Sequence, residues 1–180
     1  LKSNLLNNSM RINATYYIYE YTDLQVQLFD AQAIQFSTFN AGAVETEGFE
    51  ADLLWYTEVP GLTLRGQFAW SDATNTGDFF NTSGVNLRGS ERSYSPEFAG
   101  SLGFSYDAGL GAGWRLNLSS DARYSDDYGW GVYKNSPRQE SYWMNDAAIS
   151  LYSEDGTHSF NLIGRNLGDE IVIVTGGSTP

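Results

Sequence analysis

Residues 40–70, NAGAVETEGFEADLLWYTEVPGLTLRGQFAW, constrain the fold of this chain more than any other stretch. Phe49, Ala51, Leu53 and Trp55 recur at every second position, with Gly48, Glu50 and Asp52 on the alternate ones. After Glu58-Val59-Pro60-Gly61 the alternation returns, with Leu62, Leu64, Gly66, Phe68 and Trp70 set against Thr63, Arg65, Gln67, Ala69 and Ser71. A period of two places alternate residues on opposite faces of a strand, so this is a β-hairpin with one apolar and one charged face. Its role depends on what covers the apolar face.

The same alternation recurs over residues 10–21, 94–106, 114–124, 142–152 and 157–167. In the first of these, Ile12, Ala14, Tyr16 and Ile18 oppose Arg11, Asn13, Thr15, Tyr17 and Tyr19. Aromatics make up 15% of the chain, and 19 Gly against 4 Pro suits strands separated by turns, so the expected class is all-β. Connections at 7–9, 58–61, 107–113 and 153–156 are short. Those between them, near 29–32, 74–93 and 126–140, are mostly longer. Up-and-down antiparallel strands put all short connections at one end, as in outer-membrane barrels.

Alternation fits a soluble sandwich with an ordinary core equally well. Three features favour lipid. The strands run to about a dozen residues, against a mode of ~5–6 in globular proteins and ~9–11 for crossing a bilayer at a tilt. Aromatics collect at both ends of the apolar face, where Phe98 and Tyr106 bracket one strand and Trp114 and Tyr124 another. At ~3.4 Å per residue and a tilt of ~40° these separations project to roughly 21 and 26 Å, close to the ~25 Å apolar band of outer-membrane barrels. By parity Trp70 and Trp143 join the loop-side girdle and Trp55 the turn-side one. The opposite face carries Arg11, Glu50, Asp52, Arg65, Arg115, Asp121, Arg123, Asp146 and Arg165 among Asn, Ser and Thr, as a hydrated lumen would. The expected fold is therefore an antiparallel up-and-down transmembrane β-barrel, here a partial barrel of about seven or eight strands.

A net charge of −12 excludes nucleic acid as a partner, because phosphate neutralisation needs clustered Lys and Arg. Without cysteine there is neither a disulfide nor a thiolate metal site. The mean hydropathy of −0.36 does not separate soluble from barrel, since lipid-facing and lumen-facing residues average out. Leu1-Lys2-Ser3-Asn4 lacks the organisation of a signal peptide.

Several segments together resemble the C-terminal part of the β-barrel of TonB-dependent outer-membrane receptors. They are Leu6-Asn7-Asn8 with Arg11-Ile12-Asn13-Ala14-Thr15-Tyr16-Tyr17, then Tyr21-Thr22-Asp23-Leu24-Gln25-Val26, then Asn40-Ala41-Gly42 followed by Glu47-Gly48-Phe49-Glu50-Ala51-Asp52. Pro60-Gly61-Leu62-Thr63-Leu64, Ser95-Pro96 and Asn166-Leu167-Gly168-Asp169-Glu170 follow in the family's order. Gly168 and Phe49 stand where the family often has, respectively, a bulkier and a smaller residue. The resemblance implies that residues 1–180 are a single domain, a fragment whose plug and closing strand lie outside it. It further implies a Gram-negative outer-membrane location, the TonB complex as a partner through the plug, and import of a scarce solute such as an iron-siderophore complex, a vitamin or an oligosaccharide. No cofactor is implied.

Catalytic chemistry has little to work with. His158, the single histidine, sits beside a tight turn, and Glu50 with Asp52 is a carboxylate pair that the barrel reading places in the lumen. Asp121, Asp126, Asp127, Glu154 and Asp155 lack the spacing of a calcium loop. Arg65, Arg115 and Arg123 are lumen candidates for an anionic ligand. Tyr128, Trp130 and Tyr133, in a loop with Gly129 and Gly131, are candidates for stacking on a ligand or for packing the loop onto itself. Two other function classes remain open at this point: a small stand-alone outer-membrane barrel acting as anchor or adhesin, and a soluble carbohydrate-binding sheet.

Overall fold

The computed structural model describes residues 1–30, 34–40, 42–80, 84–131 and 136–174. The described residues form twelve strands in order: β1 (Lys2–Leu5), β2 (Met10–Thr22), β3 (Gln25–Asp30), β4 (Gln35–Asn40), β5 (Ala43–Tyr56), β6 (Leu62–Asn75), β7 (Phe98–Gly111), β8 (Trp114–Ser125), β9 (Tyr128–Gly129), β10 (Arg138–Gln139), β11 (Tyr142–Ser153) and β12 (Ser159–Gly164). Eight of them make one sheet in the order β1-β2-β5-β6-β7-β8-β11-β12, every neighbouring pair antiparallel. This is the expected up-and-down arrangement.

The register carries the two-face pattern across the sheet. Asn13, Asp52, Gln67, Ser101 and Arg123 form one polar cross-strand row, and Tyr16, Phe49, Trp70 and Phe98 one apolar row. The two-residue alternation of each strand thus becomes a sheet-wide separation of faces.

Tight turns close one end. Leu6, Asn7 and Asn8 take φ of 50, 54 and 69°, where Asn is better tolerated than most residues. Gly61, at φ 82°, lies against β7, where the Asp107 N–H donates to its carbonyl at 3.0 Å.

The other end differs from the expected plain loops. Residues 34–56 read as one extended run, yet β4 leaves the main sheet and pairs with β3 as a separate two-stranded hairpin. Left-handed residues at Asp23 (φ 55°) and Gly42 (φ 66°) break the chain direction at both of its joins. β7 begins at Phe98, not at 94, because Tyr94 is left-handed (φ 59°) and Pro96 has no N–H for the ladder. Among the described residues of the 76–97 connection Phe79 and Leu87 are buried, as is Val44 on β5, and the fully buried Asn75 donates its side-chain amide to the Ser90 hydroxyl and carbonyl at 2.8 and 3.2 Å.

Among the described residues Val44, Phe79 and Leu87 are the buried hydrophobics, and they lie at this loop end, not beneath the sheet. Leu102, Trp143, Phe160 and Leu162 on the apolar face are 64, 50, 64 and 70% exposed. At about 1.5–3 kcal/mol per fully covered large apolar side chain, that face is incomplete in water.

Candidate functional site: a polar wall and its loop cap

On the polar face the three arginines picked out in the sequence each end on a carboxylate. Arg65 reaches across β7 to Asp121 on β8 in a two-pronged contact, Nε to Oδ1 at 3.0 Å and Nη2 to Oδ2 at 2.6 Å. Gly103 makes this possible, since a Cβ there would lie 2.5 Å from Asp121 Oδ1 and 2.9 Å from Arg65 Nε. Arg115 donates to Asp107, which also accepts from the Tyr152 hydroxyl. Arg123 pairs with Asp146 at 2.6 Å, and the second Asp146 oxygen accepts the Asn166 N–H at 2.8 Å. Asn13 donates to both oxygens of Asp52 at 2.9 and 3.0 Å. The side chains of Arg65 and Asp121 are each 41% exposed, so such pairs align strands more than they stabilise them.

Asn13, Thr15, Glu50, Gln67, Ser101 and Arg123 share a concavity of ≈ 550 Å³ on this face. Glu50 and Asp52 therefore sit where their parity placed them. Sequence reasoning missed the Asp107–Tyr152 partnership, because Asp107 reads as a turn residue. β7 continues through it to Gly111.

At the loop end, two connections are tied into one cap. Arg138 donates to Glu91 at 3.0 Å and to Asp127 at 2.6 Å, and these two carboxylates hold its guanidinium above its ordinary pKa, Glu91 first. The Tyr94 N–H donates to the Gly129 carbonyl at 2.9 Å, and the Tyr94 and Tyr128 rings lie 6.1 Å apart. Burial, followed by the neighbouring Tyr142 and Tyr94, raises the Tyr128 phenol pKa. The Trp130 backbone is held by Pro137 at 3.0 Å, and its indole N–H is buried without a partner among the described residues. Tyr133 lies outside the described residues. Arg138, which organises this cap, carried no sequence signal beyond its charge.

The remaining candidates take structural places. Asp126 accepts the Tyr124 hydroxyl at 3.2 Å, and Asp127 is occupied by Arg138. Asp155 closes the β11–β12 turn, its carboxyl lowered to about 2 by the Ser153 hydroxyl first and then by Thr157. Glu154 donates its backbone N–H to Gly113 at 2.9 Å, linking two turns. His158 stacks on Trp114, ring centroids 6.4 Å apart.

On the apolar face the aromatics lie at two levels. Trp70 pairs across strands with Phe49 and Phe98, and the Tyr124 and Trp143 rings lie 5.1 Å apart, all toward the loop end. Trp55, Tyr106 and Trp114 lie toward the turn end, where Trp114 stacks on Phe160 at 6.4 Å.

With this geometry in place, comparison with known proteins is decisive at the level of family. The family described as TonB dependent receptor-like, beta-barrel, matches residues 1–167. The chain belongs to this TonB-dependent receptor family. Members of the family are receptors and transporters, not enzymes. No curated protein matches the chain in sequence. Solved structures share the fold. The siderophore receptor PiuA from Acinetobacter baumannii matches 94% of this chain with a TM-score of 0.70 at 21% identity. BauA, the ferric preacinetobactin receptor of the same organism, matches 92% with 0.69 at 15%. The ferric-catecholate import receptor Fiu from E. coli K12 matches 94% with 0.65 at 21%. The chain spans 23, 24 and 22% of those three chains, so it corresponds to about a quarter of such a TonB-dependent barrel protein.

Proposed function

We propose that residues 1–180 are the C-terminal portion of a receptor barrel, with plug and closing strands elsewhere in a longer protein, in the outer membrane of a Gram-negative bacterium. Its role on this reading is energy-coupled import of a scarce solute too large for porins. An iron-siderophore complex is the leading candidate, and the TonB complex drives transport through the plug. One observation carries the reading: a single-layer sheet holds its charged face in cross-strand pairs and leaves its aromatic-edged face uncovered. A soluble sheet would cover that face with a second layer, and lipid covers it without one.

In this reading Trp55, Tyr106 and Trp114 lie at the inner interface, with Trp70, Phe98, Tyr124 and Trp143 at the outer one. Tyr128 and Trp130, on the preformed cap, would meet a solute first. Arg65, Arg115 and Arg123 would bind an anion only by sharing it with Asp121, Asp107 and Asp146, and chiefly hold the wall together.

Extraction of the native protein tests the reading. Detergent-dependent solubility with heat-modifiable gel mobility is expected. Purification as a monodisperse monomer without detergent would refute it.

A further inference from the structure

Among the described residues the buried side chains other than Ser153 all lie at the loop end: Val44, Asn75, Phe79, Leu87, Ser136 and Gln139. The best-packed part of the chain is thus its connections, where surface loops ordinarily bury little. These contacts are made within the chain itself, and the further strands of a barrel would add to them.

The β6–β7 connection is rooted in the wall. Residues 89–92 run back along the end of β6. The Asn75 N–H donates to the Ser90 carbonyl at 3.0 Å, the Gly89 N–H to Asn75 at 2.7 Å and the Arg92 N–H to Ala73 at 3.0 Å, with Thr74 opposite Glu91. The Arg92 guanidinium adds a bond to the Asn75 side chain at 3.3 Å. Glu91 is thereby held where Arg138 Nη1 reaches it at 3.0 Å.

β10 consists of Arg138 and Gln139 alone. Successive side chains of a strand point opposite ways, so one short strand can hold two neighbours. Arg138 takes Glu91 through Nη1 and Asp127 through Nε, the latter at 2.6 Å. Gln139, 6% exposed, accepts the Ile173 N–H through Oε1 at 2.8 Å. The chain after β12 is guided there by Asp146, which accepts the Asn166 N–H, and by the Asn166 side chain, which bonds the Glu170 backbone at 2.9 and 3.0 Å. The Tyr94 N–H bond to the Gly129 carbonyl joins the first two connections a second time.

We propose that residues 84–94, 126–131, 136–141 and 165–174 open and close as one cooperative unit, with Arg138 and Gln139 as its joint. Opening any one segment breaks bonds that hold the others, so the free energy of opening is shared. A solute that meets Tyr128 or Trp130 then acts on all of these segments at once. That consequence rests on the proposed receptor role, whereas the coupling itself does not.

Hydrogen-exchange mass spectrometry on the full receptor in detergent micelles, without solute, tests the coupling. Glu91→Ala should speed exchange about two- to fivefold, the weight of one exposed ion pair, both beside Arg138 and in 165–174. Gln139→Ala should speed it in 84–94. Heat-modifiable mobility checks that each variant folds. Unchanged exchange in 165–174 for the first variant, or in 84–94 for the second, overturns the unit. So does wild-type exchange in these segments at the rate of an unstructured chain. Equal acceleration at the 153–158 turn, which lies outside the unit, would mark general loosening and also overturn it. The receptor role stands or falls by the extraction experiment, independently of these rates.

Discussion

Replacing Gly61 by alanine should be among the most damaging single-methyl additions in this sheet, and the structure says why. Gly61 has φ 82°, and an ideal Cβ there would sit 1.9 Å from the carbonyl oxygen of Asp107. The obstacle is backbone, so no rotamer change relieves it. A non-glycine residue in the left-handed region costs ~1–2 kcal/mol. Separating the turn from β7 also forfeits the Asp107 N–H to Gly61 carbonyl bond, 3.0 Å long, at ~0.5–1.5 kcal/mol. Together these give a loss of roughly 1.5–3.5 kcal/mol. Gly156 is the matched control: φ is 73°, but nothing lies within 4 Å of its would-be Cβ, so only the backbone cost of ~1–2 kcal/mol applies. Urea unfolding of the full receptor in micelles, read by heat-modifiable mobility and fitted with a common m-value, measures both. Gly61→Ala losing no more than Gly156→Ala would refute the argument.

Arg65→Ala and Asp121→Ala should couple by only about 0.5–1 kcal/mol in a double-mutant cycle, given their exposure, and Gly103→Ala should abolish that coupling by filling the space between them. Arg138→Ala frees Glu91 and Asp127, so limited proteolysis of the receptor in membranes should cut within 126–141 at least several-fold faster than in wild type. Asp155 has a folded-state pKa of about 2, below the ~3.9 of an unfolded Asp. The stabilisation from its turn is therefore intact above pH ~4 and lost as pH falls through about 2. Asp155→Asn should flatten that acid limb, seen as a smaller drop in the urea midpoint between pH 4 and 2.

The wall was legible in the sequence because every strand repeats the same local rule. The alternation of Phe49, Leu53 and Trp55 against Glu50 and Asp52 needs no knowledge of its neighbours, and short turns force consecutive strands to pair. The loop end was less legible because its structure is set by contacts between segments far apart. Phe79 and Leu87 read as isolated apolar residues in a polar stretch, yet both are buried in the fold, as is Val44 at the start of β5. Residues 34–56 likewise keep their period through Gly42, and periodicity says nothing of a left-handed residue that turns β4 away from the sheet.

The polar face shows the limit of parity. Alternation puts Arg65, Asp121 and Tyr17 on the same face but does not tell a side chain already engaged from one still available. That distinction lies in the register. Arg65 and Asp121 are two strands apart, and they meet because the residue between them across the sheet is Gly103. Glycine has the opposite consequence at position 48, where it lays the Tyr17 ring flat against the backbone. One missing side chain thus occupies a cation, and another presents an aromatic face. Arg115 and Arg123 likewise each meet a carboxylate, Asp107 and Asp146, on the same face.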